Sequence, residues 1–429
     1  MSTTKPKQFE ICRQTARIVT VEVKGGSVEA INQASETGAA ARVISDWRPG
    51  FAYSTKPLTS EDELLSMAEI SAKNAEVDKT LCFPAGEKSD SKTSHAAISK
   101  FKLEEKVDIA KRLESKIIGF DKRIKGVRKP VYEETLKDIH LVNSNGADIK
   151  FSKGLCLICA TAIADNGRDS EWTSEIEYSL DPATLDIDGV AKAVAGRAVS
   201  YLDSRKIPSQ HAPCLLCGDV ATEMLGLLAG SFFADALFSG KTQLAGKIGQ
   251  KIYSDKITIV DDATLKGGFA SVPFDSEGAE TKRTVLVNGG TMMGFLSDAT
   301  YAKKTGMPHT SSSTRGTITQ PPRIGPHNLH ITAGKLDVPA LLKTMHKGLY
   351  VTDVLGLHTA NPITGDFSVG ASGFLVENGA IKHGVKGITI AGNFHQLFQR
   401  ITAVGSDLKF RGSTGSPSLL VEEIAISGD

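Results

Sequence analysis

Lys266-Gly-Gly-Phe-Ala-Ser-Val-Pro-Phe-Asp-Ser-Glu-Gly-Ala-Glu-Thr-Lys-Arg283 separates an apolar, helix-like run from a predicted hairpin over residues 284–295, turned at Asn288-Gly289-Gly290. That succession marks the second half of the chain as strand-rich. Asp275 and Glu277, two residues apart, would point to one side of an extended segment. Such a pair reads either as turn carboxylates capping nearby backbone amides or as a general acid and base.

Downstream, alternation and apolar runs predict strands at residues 327–332, 349–354, 367–376, 387–391 and near 419–426, with Asn378-Gly379 turning another hairpin. Asp337-Val-Pro starts one short helix, and Asn393 caps a second that runs to about Ala403. Upstream lie a strand at 212–217, a buried helix over 219–234 that is apolar on nearly every side, and a strand at 256–260. Residues 211–429 therefore read as a β-rich domain, barrel-like or a curled sheet.

Toward the N-terminus, Arg17-Ile-Val-Thr-Val-Glu-Val opens an antiparallel meander that passes Gly25-Gly26 and Arg42-Val-Ile and ends in Gly50-Phe-Ala-Tyr-Ser. Ser60-Glu-Asp-Glu63 is a capping box for a helix over 60–77, with Leu64, Met67, Ala68, Ala72 and Ala75 inward. Residues 83–97 read as loop, and Leu103, Val107, Ala110, Leu113 and Ile117 mark a second helix. Strands at 136–142 and 147–151 turn at Asn143-Ser-Asn-Gly146, and another pair turns at Asp165-Asn-Gly167. Asp186 or Asp188 caps a helix to Tyr201 that turns Val190, Val194 and Ala198 inward; 203–210 reads as a linker. The first domain, residues 1–210, is α+β, with an antiparallel or mixed sheet and helices on one side.

Composition removes several classes of function. Of the 429 residues, 50 are basic and 49 acidic, so no global field draws the chain to nucleic acid or an anionic membrane. Residues 100–129 hold eleven Lys or Arg against five Asp or Glu, but Glu104, Glu105, Asp108 and Glu114 are interleaved, which reads as a solvated face. The start of the sequence is polar, and no stretch approaches a membrane span, so a cytoplasmic location is expected. The cysteines at 12, 82, 156, 159, 214 and 217 include two Cys-x-x-Cys pairs, yet both pairs sit in strand-like runs where residues i and i+3 face opposite ways. They read as core thiols rather than a metal or redox pair. His327 and His330, three apart in a predicted strand, are likewise poor co-ligands.

Ala270-Ser-Val-Pro-Phe-Asp-Ser-Glu-Gly-Ala-Glu-Thr-Lys-Arg283, Asn361-Pro-Ile-Thr-Gly-Asp-Phe-Ser-Val-Gly370, Glu377-Asn-Gly379, Ile390-Ala-Gly-Asn-Phe-His395 and Val404-Gly-Ser-Asp407 together resemble the TldD/PmbA family. Arg48-Pro-Gly-Phe-Ala-Tyr-Ser54, Asn143-Ser-Asn-Gly146 and Ala245-Gly-Lys-Ile-Gly-Gln250 fit as well, so the resemblance covers nearly the whole chain. It implies two kinds of subunit. One bears zinc on a His-Glu-x-x-x-His helix completed by a late Cys; the other, PmbA or TldE, is metal-free. Here the corresponding helix reads Leu225-Gly-Leu-Leu-Ala-Gly230, no histidine falls between His211 and His309, and no cysteine follows Cys217. Glu223 and Asp235 are the nearby carboxylates, twelve residues apart, and Lys409-Phe-Arg-Gly-Ser-Thr-Gly-Ser-Pro417 stands where the late Cys would be. Zinc needs imidazole, thiolate or carboxylate ligands.

The expectation is thus a subunit that is not catalytic alone, with no catalytic residue, metal ligand or cofactor of its own. It would form a heterodimer with a zinc-bearing TldD-like chain in a metallopeptidase complex that digests unfolded peptides or matures modified ones. Zinc is expected only in the partner, and self-association when the partner is absent. Phe274, Asp275, Ser276, Glu277, Gly278 and Arg283 are expected to form a signature loop that lines the chamber. Two alternatives stand beside this. One is a regulatory protein, as the family's description as a modulator of DNA gyrase implies, and the other is a zinc-independent hydrolase using Asp275 and Glu277.

Overall fold

A computed structural model describes residues 8–56, 60–86, 88–91 and 96–428. The polar start of the sequence, residues 1–7, lies outside these, as do residues 87 and 92–95 of the predicted 83–97 loop.

The first sheet grows from the expected meander: β1 (Gln8–Lys24), β2 (Ser27–Ser45) and β3 (Arg48–Ser54) pair antiparallel in sequence. Then α1 (Glu61–Ala72) begins at Ser60, whose hydroxyl accepts the Glu63 N–H at 3.1 Å. Leu64, Ala68 and Ala72 are buried against the meander. Met67 is instead 45% exposed and Ala75 lies beyond the helix, which stops five residues short of the predicted end. A polar strand, β4 (Lys88–Ser91), stands where loop was expected and pairs parallel with the later strand Asp148–Asp165, a pairing that Lys-Ser-Asp-Ser, without apolar alternation, could not signal.

Next come α2 (Ala96–Lys100), α3 (Leu103–Ile118), β5 (Ile124–Asn143), β6 (Asp148–Asp165), β7 (Ser170–Ser179) and α4 (Ile187–Tyr201). The strands run β3-β2-β1-β5-β6-β4, and β7 pairs with β6 along the same edge as β4 but further on, over residues 156–165, so the sheet is mixed. The Asn143 side chain accepts the N–H groups of Asn145 at 2.8 Å and Ala147 at 3.0 Å, closing the β5–β6 turn. Against one face, α3 and α4 bury Ile109, Leu113, Ile117, Val190, Val194 and Ala198.

The second half begins with β8 (Gln210–Leu216), α5 (Gly218–Leu228) and α6 (Ala234–Phe238). It continues through β9 (Ile259–Asp262), β10 (Arg283–Asn288), β11 (Thr291–Met292), α7 (Ala299–Thr305), β12 (Ser313–Thr314), β13 (Arg323–Ile324), β14 (Leu329–Ile331) and α8 (Val338–Met345). The remainder is β15 (Gly348–Leu355), β16 (Asp366–Glu377), β17 (Ala380–Asn393), α9 (Phe394–Gln399), β18 (Ile401–Val404), β19 (Lys409–Arg411), β20 (Thr414–Ser416) and β21 (Leu419–Ser427). Strands β17-β16-β15-β8-β21 bond in that order, and β21 pairs back onto β17 from Thr389↔Ser427 to Ala391↔Ala425. The sheet therefore closes into a barrel. A second, curled sheet runs β11-β10-β9-β14-β20-β19.

The fold is α+β, a mixed sheet with helices followed by a β-rich barrel half. Two helix predictions in the second half also need correction. The buried run from 219 breaks after Leu228 into a 3-10 turn over Ala229–Phe232, and Gly226 and Gly230 weaken it there. The helix capped by Asn393 ends at Gln399, because the chain enters β18. Among the described residues no helix is long and apolar enough to cross a membrane.

Candidate functional site

The Asp275 loop is a tight turn of backbone. Asp275 Oδ1 accepts the N–H of Glu277 at 2.9 Å and of Ala279 at 3.0 Å, and Oδ2 accepts that of Ser313 at 3.2 Å. Of the two readings open in the sequence, amide capping describes Asp275. Gly278 holds φ +83, and a Cβ there would come within 2.9 Å of Leu141 Cδ2 and 3.2 Å of Ile149 Cδ1. Only a glycine lets the loop sit this close to β5 and β6. The second half of the chain is thereby pressed onto the first sheet.

Glu277 carries the contact further. One carboxylate oxygen accepts Arg42 Nη1 at 3.0 Å, and the other accepts the Ala299 N–H at 3.2 Å. Arg42 lies opposite Glu10 across the β1–β2 ladder, pairs with both its oxygens, and lies over the Phe83 ring at 4.9 Å. Arg315 closes the cluster with Nη2 at 2.9 Å from Glu10 Oε1. Burial, reinforced by the Glu277 charge, pushes the carboxyls of Asp275 and of nearby Asp298 well above the usual range. Burial also lowers His309, whose buried Nε2 has no hydrogen-bond partner among the described residues.

Ligand atoms of Asp275, Glu277 and His309 all lie within 4.8 Å of one another. The residue types suit a cation, but the geometry does not. Both Asp275 oxygens already accept backbone amides, and both Glu277 oxygens are taken by Arg42 and Ala299. An ion there would also face the Arg42 charge. The cluster is built as a buried latch between the two halves. Reading the sequence alone missed Glu10, Arg42, Arg315 and His309. The available signal was a charge, Arg42, inside the apolar run Ala39-Ala-Ala-Arg-Val-Ile44.

The other loop residues separate. Phe274, Asp275 and Ser276 line a cavity of about 420 Å³ between the halves, together with Lys153 and Phe269. Arg283 stands apart at the start of β10, its Nε 3.8 Å from Asp262. His327 faces Asp261 at 3.8 Å, while His330 shares a hydrogen bond with the Asn328 carbonyl. Cys156 and Cys159 lie in β6, Cys214 in β8, and Cys217 just before α5, with all four thiols raised by burial.

Of the two stretches where the family resemblance expects zinc ligands, the first begins within α5, and the second spans β19 and β20, which pack against that helix. At the start of α5, a Cβ on Gly218 would lie 2.9 Å from the Ser416 carbonyl oxygen of β20. From β19, Arg411 grips Asp219 in the first turn of α5 through Nε at 2.7 Å and Nη2 at 2.8 Å. Arg411 also reaches Glu175 of β7, which takes Arg197 at 3.0 Å and Lys409 at 3.2 Å. Residues 225–230 and 409–417 contain no imidazole, thiol or carboxylate. They do not fit a zinc ion, and the cations at the mouth of α5 would repel one.

Three family models match consecutive parts of the chain. They are PmbA/TldA metallopeptidase domain 1 over residues 9–75, the central domain over 97–202 and the C-terminal domain over 209–428. The metalloprotease PmbA of Escherichia coli O157:H7 is 31% identical over 76% of this chain and 70% of its own length. Among solved structures, one from Thermotoga maritima, described as a modulator of a DNA gyrase, superposes with a TM-score of 0.89 at 27% identity, covering 98% of this chain and 96% of its own. TldE from Thermococcus kodakarensis shares the fold with a TM-score of 0.89 at 22% identity, covering 98% and 97%.

Proposed function

This chain belongs to the PmbA/TldA metallopeptidase family, and from that premise we propose that it is the subunit without catalytic zinc, working beside a zinc-bearing TldD-like chain. The observation that carries this reading is the Arg411–Asp219 pair at the junction of α5 and β19, where the guanidinium occupies both oxygens of the carboxylate, while residues 225–230 and 409–417 hold no imidazole, thiol or carboxylate. Its role is to complete a closed chamber around the partner's metal, admitting extended or modified peptide and excluding folded protein.

A surface suited to such a partner supports the reading. Ile248, Met293 and Ile363 are 42%, 50% and 44% exposed. Their loops are tied together, Gly249 N–H to the Met292 carbonyl at 2.8 Å and Gln243 to the Thr364 carbonyl at 3.1 Å. Exposed apolar groups held in a fixed arrangement favour association, with the partner or, in its absence, with a second copy.

A direct role on DNA has less support. Of the cations in residues 100–129, Lys106 is spent on Glu134, Arg112 on Asp108, Lys116 on Asp188 and Arg123 on Asp121. The test of the proposal is proteolysis of an unfolded polypeptide by the purified chain with added zinc, alone and mixed with a zinc-bearing partner. Chelator-sensitive cleavage by the chain alone would overturn it.

A further inference from the structure

Lys137 of β5 and Lys153 of β6 are directly opposite in the antiparallel ladder. Like charges in that relation destabilise a sheet. Neither side chain has an ion pair or hydrogen-bond partner among the described residues, although neighbouring side chains of the sheet do: Arg17 and Ser152 with Asp138, and His140 with Asp148. Both lysines line a cavity of about 700 Å³ between the first sheet and the 263–281 loop, and both also line the adjoining cavity beside Asp275. Lys153 is exposed to solvent yet enclosed by protein on many sides, which places its ammonium inside the cleft. Its place among the cleft walls and the charge of Lys137 push its ammonium below its ordinary value.

The remaining walls mix hydroxyl side chains such as Thr135, Ser271 and Thr281 with an apolar group. Phe151, Leu155, Phe269, Val272 and Phe274 line the larger cavity, and Phe269 is fixed edge-on against Tyr178 with ring centroids 4.9 Å apart. In that cavity the lysines are opposed by one carboxylate, Glu280, which is exposed. Two unpaired cations beside an aromatic wall, in a space of ordinary ligand size, recognise an anion with an apolar flank.

We propose that this cleft binds a carboxylate of an extended peptide, seated between Lys137 and Lys153 with a neighbouring hydrophobic side chain against Phe269 and Phe274. The assignment of a peptide, rather than another amphiphilic anion, rests on the reading of the chain as part of a peptidase. The chain end is the favoured source of the carboxylate, because it combines a charge and an adjacent side chain in the smallest volume.

The experiment is calorimetric titration of the full chain, without partner or metal, with acetyl-Ala-Ala-Ala-Phe bearing a free carboxylate, its C-terminal amide, and the amide of acetyl-Ala-Glu-Ala-Phe. The free acid is expected to bind at least ~10-fold more tightly than the plain amide. A Lys137→Met/Lys153→Met variant that melts like the parent should lose that preference. Binding of the glutamate-bearing amide as tightly as the free acid supports carboxylate recognition and assigns it to a side chain. Equal binding of acid and plain amide, or no binding at millimolar peptide, overturns the proposal, and this comparison needs no variant. Because the partner is absent from this titration, binding here with failed reconstitution would sink the subunit reading alone. Successful reconstitution without binding would sink the cleft alone.

Discussion

Arg411 and Asp219 meet through two parallel hydrogen bonds, Nε to Oδ1 at 2.7 Å and Nη2 to Oδ2 at 2.8 Å, which join β19 to the first turn of α5. Burial alone would raise the Asp219 carboxyl, but Arg411 holds it below its ordinary value. The pair therefore contributes stability above the usual carboxylate pKa and loses it as pH falls through the lowered one. Arg411→Met leaves Asp219 and Glu175 undercompensated. It should cost about 2–3 kcal/mol in urea unfolding at neutral pH, and less near pH ~3. An unchanged urea midpoint would contradict this role.

Arg42 is the cation that links Glu10 of the first sheet to Glu277 of the second half. Arg42→Met leaves buried Glu277 without its cation and Glu10 with Arg315 alone, and should destabilise by about 3–5 kcal/mol. Hydrogen exchange gives a more local readout, since the amides of Glu277, Ala279 and Ser313 should lose protection before those of the barrel strands. Uniform loss of protection would argue against a latch between the halves.

Gly278→Ala adds a methyl against Leu141 and Ile149 at a φ of +83. Strain and overlap together should cost about 2–3 kcal/mol. A thermal melt within error of the parent would show that the loop does not press on β5 and β6.

Burial and Glu277 raise Asp298 to about 7. A carboxyl raised in the folded state binds its proton more tightly there, so its favourable contribution is complete below the ordinary pKa near 4 and is lost as pH climbs toward 7. Asp298→Asn keeps an oxygen for the Tyr301 N–H, which Asp298 now accepts at 2.7 Å. The variant should therefore lose about 1–2 kcal/mol less than the parent between pH ~5 and pH ~7 in urea titrations. Parallel profiles would remove Asp298 from the titrating cluster.

Most of the barrel could be read from the sequence because its strands alternate and its turns carry their chemistry openly. Asn378 and Gly379, both at positive φ, turn β16 into β17 where Asn-Gly predicted it. Closure could not be read, since the β17–β21 pairing joins residues near 390 to residues near 426 and leaves no local pattern. The polar strand β4 was hidden for another reason, as local propensity pointed elsewhere and tertiary pairing decided, whereas the early end of α5 was signalled locally by Gly226 and Gly230. At the site, Asp275 and Glu277 stood out as a pair, but their partners come from Arg42 and Ser313, which only the fold brings near. The facing of Lys137 and Lys153 likewise needs the register of a long hairpin.

The central claim, a family member whose own chain carries no catalytic zinc, is tested most directly by proteolysis of an unfolded substrate after reconstitution. The purified chain saturated with zinc should be inactive. Activity should appear only when a zinc-bearing TldD-like chain is added, and should vanish with chelator. Chelator-sensitive cleavage by the purified chain alone would contradict the claim.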